Sequence, residues 1–308
     1  MDGELVIDVH GLTKSFGDTR VVDDFSIQVP RGAIYGFLGP NGSGKTTTIR
    51  LVCGLLKPDG GGGTALGYDI RTQSREIKSR VGYMTQKFSL YGDLTVKENL
   101  EFMARLHAVP NQKQTVQATM EEYDLEPRAK QLAGNLSGGW KQRLALAATT
   151  MHKPGLLMLD EPTAGVDPKA RRDFWDRIRR LSQQGVTVLV STHYMDEAVQ
   201  CDSIAYIAYG RKLIDAPSAD IADIVGLHTW RIEGKGLQPV YDALDGAPGV
   251  DQIARFGSAL HVSGRDEAAL LRAIAPWRDR PEFEVSRAKT GLEEAFIWLM
   301  TGAQDNFQ

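Results

Sequence analysis

Cysteine is nearly absent from this chain of 308 residues. The two present, Cys53 and Cys201, cannot build a disulfide framework. A reducing compartment is therefore expected, with both thiols serving as packing residues. Long hydrophobic runs are missing too. No apolar stretch approaches the ~18 residues of a membrane-spanning helix. The Met1 to Leu5 start lacks the basic and apolar regions of a secretory leader. Nor is there an excess of basic charge: 36 Lys and Arg oppose 39 Asp and Glu, a formal net charge of −3. General binding to nucleic acid is not expected from that balance. The 6 histidines show no metal-ligand spacing such as H-x-x-x-H. With 32 glycines and 13 prolines, the chain is not of low complexity. What remains is ordinary globular composition, 42% hydrophobic and 24% charged, and enough length for two domains or one with an appendage.

The pattern up to about residue 215 alternates short apolar strands with amphipathic helices, which reads as an α/β core. Leu5 to His10 and Phe25 to Val29 alternate with period two and predict half-exposed antiparallel strands. Ala33 to Leu38, Leu156 to Leu159 and Val186 to Val190 are continuously apolar and suit the buried centre of a parallel sheet. Between Leu94 and Glu122 the spacing is helical, with Thr95 and Glu98 as a capping box at Leu94 to Leu106. The run Gly60 to Gly63 reads as a turn after Pro58. Past Ala216 and Pro217 the order becomes strand, helix, strand, strand, helix, strand between His228 and Ser286, a split β-α-β pattern. A last helix is predicted over Leu292 to Met300, with Thr290 and Glu293 as its capping box and Leu292, Ala295, Phe296 and Leu299 on one face. The expected division is a core domain over 1–218 with a helical insert over about 87–154, a linker over 219–227, and an accessory α+β domain over 228–308.

The residues richest in chemistry are Gly39, Pro40, Asn41, Gly42, Ser43, Gly44, Lys45 and Thr46, which fit G-x-x-x-x-G-K-[ST]. Glycines allow backbone N–H groups to turn inward onto phosphate oxygens, and the following helix aims its positive end at the same anion. Lys45 is expected on the β- and γ-phosphates and the Thr46 hydroxyl on Mg²⁺. A buried strand before this loop and a helix through Thr47 after it supply the right context. A second buried strand ends in Asp160 and Glu161. Asp160 is suited to hold Mg²⁺, and Glu161 to polarise a water for attack on the γ-phosphate.

These residues and the further motifs below, in order, resemble the nucleotide-binding subunits of ATP-binding cassette (ABC) transporters over roughly residues 5–215. Leu136, Ser137, Gly138, Gly139, Trp140, Gln142 and Arg143 resemble the family signature, with Trp140 where Gln or Met is more usual. The resemblance implies that Ser137, Gly138 and Gly139 reach the γ-phosphate held by another subunit. Phe16 resembles the aromatic that stacks on adenine, Gln86 the Q-loop glutamine that senses Mg²⁺ and water, and His193 the switch histidine on the γ-phosphate. Ala164 to Asp167 resembles the D-loop, with Val166 where Leu is commoner and Asp167 at the dimer contact.

The resemblance implies a P-loop ABC ATPase core, a mixed and largely parallel sheet with an antiparallel β subdomain and a helical insert, followed by a small α+β domain. It implies ATP and Mg²⁺ as cofactors and ATP hydrolysis as the reaction. Trp140, Phe174 and Trp175, residues 193–198 and residues 86–95 resemble the branch that serves ABC-2-type permeases, including multidrug-type exporters. The partners implied are a separate integral membrane permease and a second ATPase subunit, closed head to tail as a homodimer or a pair, with room for a periplasmic adaptor and with no nucleic acid. The place implied is peripheral, at the cytoplasmic face of the inner or plasma membrane. Phe88, Leu90 and Tyr91 read equally as permease contacts or as core of the insert. Two other readings stand beside this one. A soluble ABC ATPase acting on DNA or ribosomes lacks support from a second cassette, a coiled-coil insertion or a basic block. An importer ATPase would use the C-terminal domain as a regulatory sensor, and the last helix reads as domain packing or as a dimerisation element.

Overall fold

The computed structural model describes residues 4–301. Residues 1–3 and 302–308 lie outside the description, and with them the Met1 start and the last residues of the expected accessory domain. Two compact units divide between Asp215 and Ala216.

The first unit begins β1 (Leu5–Phe16), β2 (Thr19–Pro30), β3 (Ile34–Leu38), α1 (Lys45–Val52), β4 (Gly60–Ala65), β5 (Tyr68–Asp69), α2 (Ser74–Lys78) and β6 (Val81–Met84). It continues through α3 (Val96–Leu106), α4 (Gln112–Glu122), α5 (Gly138–Thr150), β7 (Leu156–Asp160), α6 (Pro168–Gln183), β8 (Thr187–Thr192), α7 (Met195–Ala198), β9 (Ser203–Ala208) and β10 (Arg211–Pro217).

One sheet has the order β2-β1-β4-β5 and is antiparallel throughout. Its alternating apolar residues, among them Ile7, Val9, Phe25 and Ile27, turn to the core and are buried. The Gly60 to Gly63 run, expected as a turn, is strand β4 instead. It lies so close to β1 that a Cβ on Gly63 would come 2.2 Å from the Asp8 carbonyl oxygen. Glycine here marks a close approach of two backbones, not a reversal of the chain.

The other sheet has the order β10-β9-β3-β8-β7-β6, and the five strands from β9 to β6 are parallel. Every residue of β3, β7 and β8 is buried, as continuous apolar runs in a sheet covered on both faces require. Phe37, Ile49, Met158 and Leu189 join Phe25 and Val9 in one core shared by the two sheets. Cys53 and Cys201 are both buried, as expected of packing residues. The parallel register sets Leu38 opposite Thr192, Ser191 opposite Asp160, and Leu159 opposite Met84. The carboxyl ends of four neighbouring strands therefore meet along one edge, where open α/β sheets bind ligands. The capping box at α3 forms as expected: the Glu98 N–H donates to the Thr95 hydroxyl at 3.2 Å, and the Thr95 N–H donates to the Glu98 carboxylate at 2.8 Å.

The second unit holds α8 (Ile221–Val225), β11 (His228–Gly234), α9 (Gln238–Leu244), β12 (Gln252–Phe256), β13 (Ala259–Gly264), α10 (Glu267–Arg278), β14 (Phe283–Ala288) and α11 (Leu292–Thr301). Its antiparallel sheet has the order β12-β13-β11-β14, the split β-α-β arrangement. Ile232, Val240, Leu260, Val262, Leu270 and Ile274 form its core. The stretch 219–227, read as a linker, carries α8, which buries Ile221 and Val225 and packs on α11. The capping box expected from Thr290 and Glu293 does not form. The helix starts at Leu292, so the residue that reaches back is Glu294, which accepts the Gly291 N–H at 2.8 Å. The Thr290 hydroxyl donates instead to the Leu227 carbonyl at 2.8 Å.

Candidate active site

Residues 39–44 form the turn between β3 and α1. Gly39, at φ 145°, passes so close to β9 that a Cβ would fall 1.9 Å from the Ile207 carbonyl oxygen. No other residue fits that position. Asn41 and Gly42 are exposed at the tip, whereas Ser43, Gly44 and Lys45 are buried. The Ser43 hydroxyl is buried with no hydrogen-bond partner among the described residues, a cost that a bound acceptor would remove. The Lys45 ammonium donates to the carbonyls of Gly39 at 2.7 Å and Pro40 at 2.9 Å. Burial pushes the Lys45 pKa below its ordinary value, while the charges of Glu161 and Asp160 pull the other way. A half-compensated buried cation of this kind gains from an anion placed in the loop. Thr46 and Thr47 follow on the first turn of α1, half-buried.

Asp160 ends β7 and is 5% exposed. It accepts the Thr46 hydroxyl at 3.0 Å and the Ser191 hydroxyl at 2.7 Å. Ser191 was not singled out in the sequence, although it sits at the end of an apolar strand two residues before His193. Its hydroxyl also accepts the Glu161 backbone N–H at 3.0 Å, so one serine ties the Asp160 carboxylate to the Glu161 backbone. Glu161 holds a left-handed backbone at φ 45°, a conformation that non-glycine residues adopt at a cost and that gathers at functional sites. Its Oε2 accepts the Gln86 amide at 2.8 Å and lies 3.5 Å from His193 Nδ1. Glu161, Gln86 and His193 are thus brought to one oxygen. Gln86, expected beside Thr46 and Asp160, turns its amide nitrogen to Glu161.

Among the described residues, no group of three His, Cys, Asp or Glu could hold a metal ion. The chain offers one hydroxyl and one carboxylate, Thr46 and Asp160, side by side. That donor set fits Mg²⁺, which keeps waters and substrate phosphates in its shell and does not need a cage made of protein alone.

Phe16 closes β1 and is 51% exposed, with the Lys14 ammonium 5.7 Å from its ring centroid. An aromatic face left in water on a strand end is available for stacking. Asp167 caps α6, accepting the N–H groups of Lys169 at 3.1 Å and Ala170 at 3.0 Å.

Ser137 occupies the N-cap of α5 without making a side-chain cap bond, and Gly138 and Gly139 begin the helix. Ser137 and Gly138 are exposed, which leaves the positive end of a 13-residue helix open. The cavity of about 220 Å³ that Ser137, Gly139 and Asp167 line includes no residue of 39–47. Trp140, the departure from the usual signature, has the Arg128 guanidinium 4.4 Å and the Arg143 guanidinium 4.6 Å from its ring centroid.

The family model described as "ABC transporter" matches residues 22–164. The chain is 46% identical over 220 residues to the probable multidrug ABC transporter ATP-binding protein YbhF of Escherichia coli K12. That match covers 71% of this chain but only 38% of the E. coli protein. It is 36% identical to the Nod factor export ATP-binding protein I of Burkholderia orbicola, covering 95% of this chain and 96% of that one. It is 35% identical to the daunorubicin/doxorubicin resistance ATP-binding protein DrrA of Streptomyces peucetius, covering 95% and 92%. A solved ATP-binding subunit of an ABC transporter superposes with a TM-score of 0.66 at 27% identity, over 72% of this chain and 93% of that one. A nucleotide-free ATP-binding cassette shares the fold, with a TM-score of 0.65 at 24% identity over 72% of this chain and 95% of that one.

Proposed function

The chain belongs to the ABC transporter family, whose ATP-binding proteins are ATPases, and from that premise we propose that it is the ATP-hydrolysing subunit of an ABC-2-type exporter. The observation that carries the reading is the convergence of Gln86 and His193 on Glu161 Oε2, next to an Asp160 that is bonded to Thr46. Three functions meet in that arrangement. The loop of residues 39–44, with Ser43 and Lys45, binds the β- and γ-phosphates. Thr46 and Asp160 hold Mg²⁺, which when bound neutralises charge shared by those phosphates. Glu161 accepts a proton from the attacking water, with Gln86 and His193 orienting its carboxylate. Phe16 stacks on the adenine ring, and its exposure supports that role.

One chain carries one phosphate loop and one signature. The exposed start of α5 supports use of Ser137, Gly138 and Gly139 in trans, on the nucleotide of a second subunit. Two copies related by a two-fold axis then close two equivalent sites, with Asp167 at the contact between them. Loss of the γ-phosphate removes the bridge and lets the pair reopen. No helix of the described residues is long and apolar enough to cross a membrane. Transport then requires a separate integral membrane permease, with this subunit on its cytoplasmic face. The names of the relatives, multidrug transport, Nod factor export and drug resistance, support export as the direction.

The test is to purify the Glu161→Gln chain from its native membranes with ATP and Mg²⁺ and to identify what accompanies it by mass spectrometry. A stoichiometric polytopic membrane protein is expected. Ribosomal proteins or DNA without such a partner would contradict the transporter reading.

A further inference from the structure

Glu197 takes no part in the site described so far, yet it is a carboxylate only 1% exposed, four residues beyond His193 on α7. An unpaired charge at that depth would be expensive, and here both oxygens are occupied. Oε2 accepts the Thr192 hydroxyl at 2.6 Å. Oε1 accepts the Thr163 hydroxyl and lies 3.6 Å from Arg171 Nε. The Thr192 oxygen in turn accepts the Tyr194 N–H at 3.0 Å, so the residues on either side of His193 are pinned through one hydroxyl. Arg171 also pairs with Asp196 at 2.9 Å and covers the Tyr194 ring at 4.5 Å. The Tyr194 ring lies 4.2 Å from that of His193.

Three segments meet at this one carboxylate. Thr163 belongs to the loop that begins at Glu161, Arg171 to the helix capped by Asp167, and Thr192 and Tyr194 to the turn that presents His193. Burial pushes the Glu197 carboxyl above its ordinary value, and its bond to Thr192 and the charge of Arg171 oppose that. We propose that Glu197 is a positioning residue, holding His193 against Glu161 and tying it to the segment that Asp167 opens. This rests on the reading of Glu161 and His193 given above. It adds a link by which a contact at Asp167 would be felt at His193.

The experiment is a mutant cycle on the full chain, with steady-state ATP hydrolysis as readout for the parent, Glu197→Ala, Glu197→Gln, His193→Ala and the Glu197→Ala/His193→Ala pair. In Glu197→Ala we expect kcat to fall about tenfold or more, with KM for ATP within about threefold, because misplacement costs the reacting geometry and not nucleotide binding. Glu197→Gln should recover most of that loss, since an amide can still engage both threonines. The double variant should be within about twofold of His193→Ala alone, because the two residues act as one unit. A parent-like kcat in Glu197→Ala would overturn the proposal, as would single losses that multiply in the double variant. If Glu197→Ala does not fold, Thr192→Val takes its place in the cycle with the same criteria. Glu161→Gln is run alongside. A parent-like rate there overturns the site reading and this proposal together. A lost rate there with an unaffected Glu197→Ala overturns this proposal alone.

Discussion

The Thr46 hydroxyl lies 3.0 Å from each carboxylate oxygen of Asp160, joining the first turn of α1 to the end of β7 across 114 residues of chain. This bond links the phosphate loop to the catalytic strand, and the Ser191 hydroxyl at 2.7 Å completes it. Thr46→Val keeps the shape and removes the donor. It should lower the stability of the nucleotide-free chain by about 1.5–3 kcal/mol, the usual range for a hydrogen bond to a charged group. Urea unfolding of the two proteins side by side measures it.

Lys45 sits buried against two backbone carbonyls, with its pKa pushed down by burial. The folded value lies below the ordinary 10.5, so its charge opposes folding throughout the neutral range, and that cost is relieved only as the pH rises through the folded value towards 10.5. Lys45→Met should therefore leave the nucleotide-free chain at least as stable as the parent at neutral pH. It should also weaken ATP binding about tenfold or more, equivalent to at least about 1.4 kcal/mol. Calorimetry reads affinity and stability on the same samples.

His107 and His152 stack face to face, with ring centroids 4.0 Å apart. Burial, with the neighbouring His107 adding to it, pushes His152 from 6.5 down to about 4. The folded value is depressed, so the stability held above the ordinary value is lost as the pH falls from 6.5 towards about 4. Discounted for partial exposure, the loss should be on the order of 1–2 kcal/mol. His152→Phe keeps a stacking ring that cannot titrate. Its stability should vary less over that window than the parent's, as seen in unfolding curves taken at several pH values.

Trp140 ties the first turn of α5 to Arg128, which lies in the segment leading to it, and to Arg143 on the same helix. Each such contact is worth about 0.5–1 kcal/mol at a partly exposed site. Trp140→Gln restores the more usual signature residue and should cost about 1–2 kcal/mol of stability in this chain. Trp140→Tyr, with a smaller aromatic face, should cost less. Thermal melts of the two variants decide the order.

Much of the site was legible from local sequence because its chemistry depends on local sequence. The phosphate loop needs its glycines and Lys45 in one stretch, and the runs before Gly39 and Asp160 are apolar without interruption because both faces of their sheet are covered. Where partners come from far along the chain, the sequence was silent or misleading. Gly60 to Gly63 has the composition of a turn, but β1, some fifty residues earlier, recruits it as a strand whose close packing requires glycine. Thr290 and Glu293 have the spacing of a capping box, but the Leu227 carbonyl draws the Thr290 hydroxyl away and, with the helix starting at Leu292 as expected, Glu294 is the residue that reaches back, to the Gly291 N–H. The apolar positions of α8 stand at helical spacing within a stretch marked as a linker by the Pro217 break before it. Ser191 lies in no motif, and Glu197 enters the sequence reading only as one of residues 193–198, with no role of its own. Only the fold shows that Ser191 ties the Asp160 carboxylate to the Glu161 backbone and that Glu197 collects three segments.

The most direct test of the central reading is the rate of phosphate release from ATP by the full chain and by Glu161→Gln, with ATP affinity measured on both. Glu161→Gln should bind ATP within about threefold of the parent, hydrolyse it about a hundredfold more slowly or worse, and accumulate as an ATP-bound dimer. Hydrolysis at the parent rate would show that Glu161 is not the base and that the convergence of Gln86 and His193 upon it has another purpose.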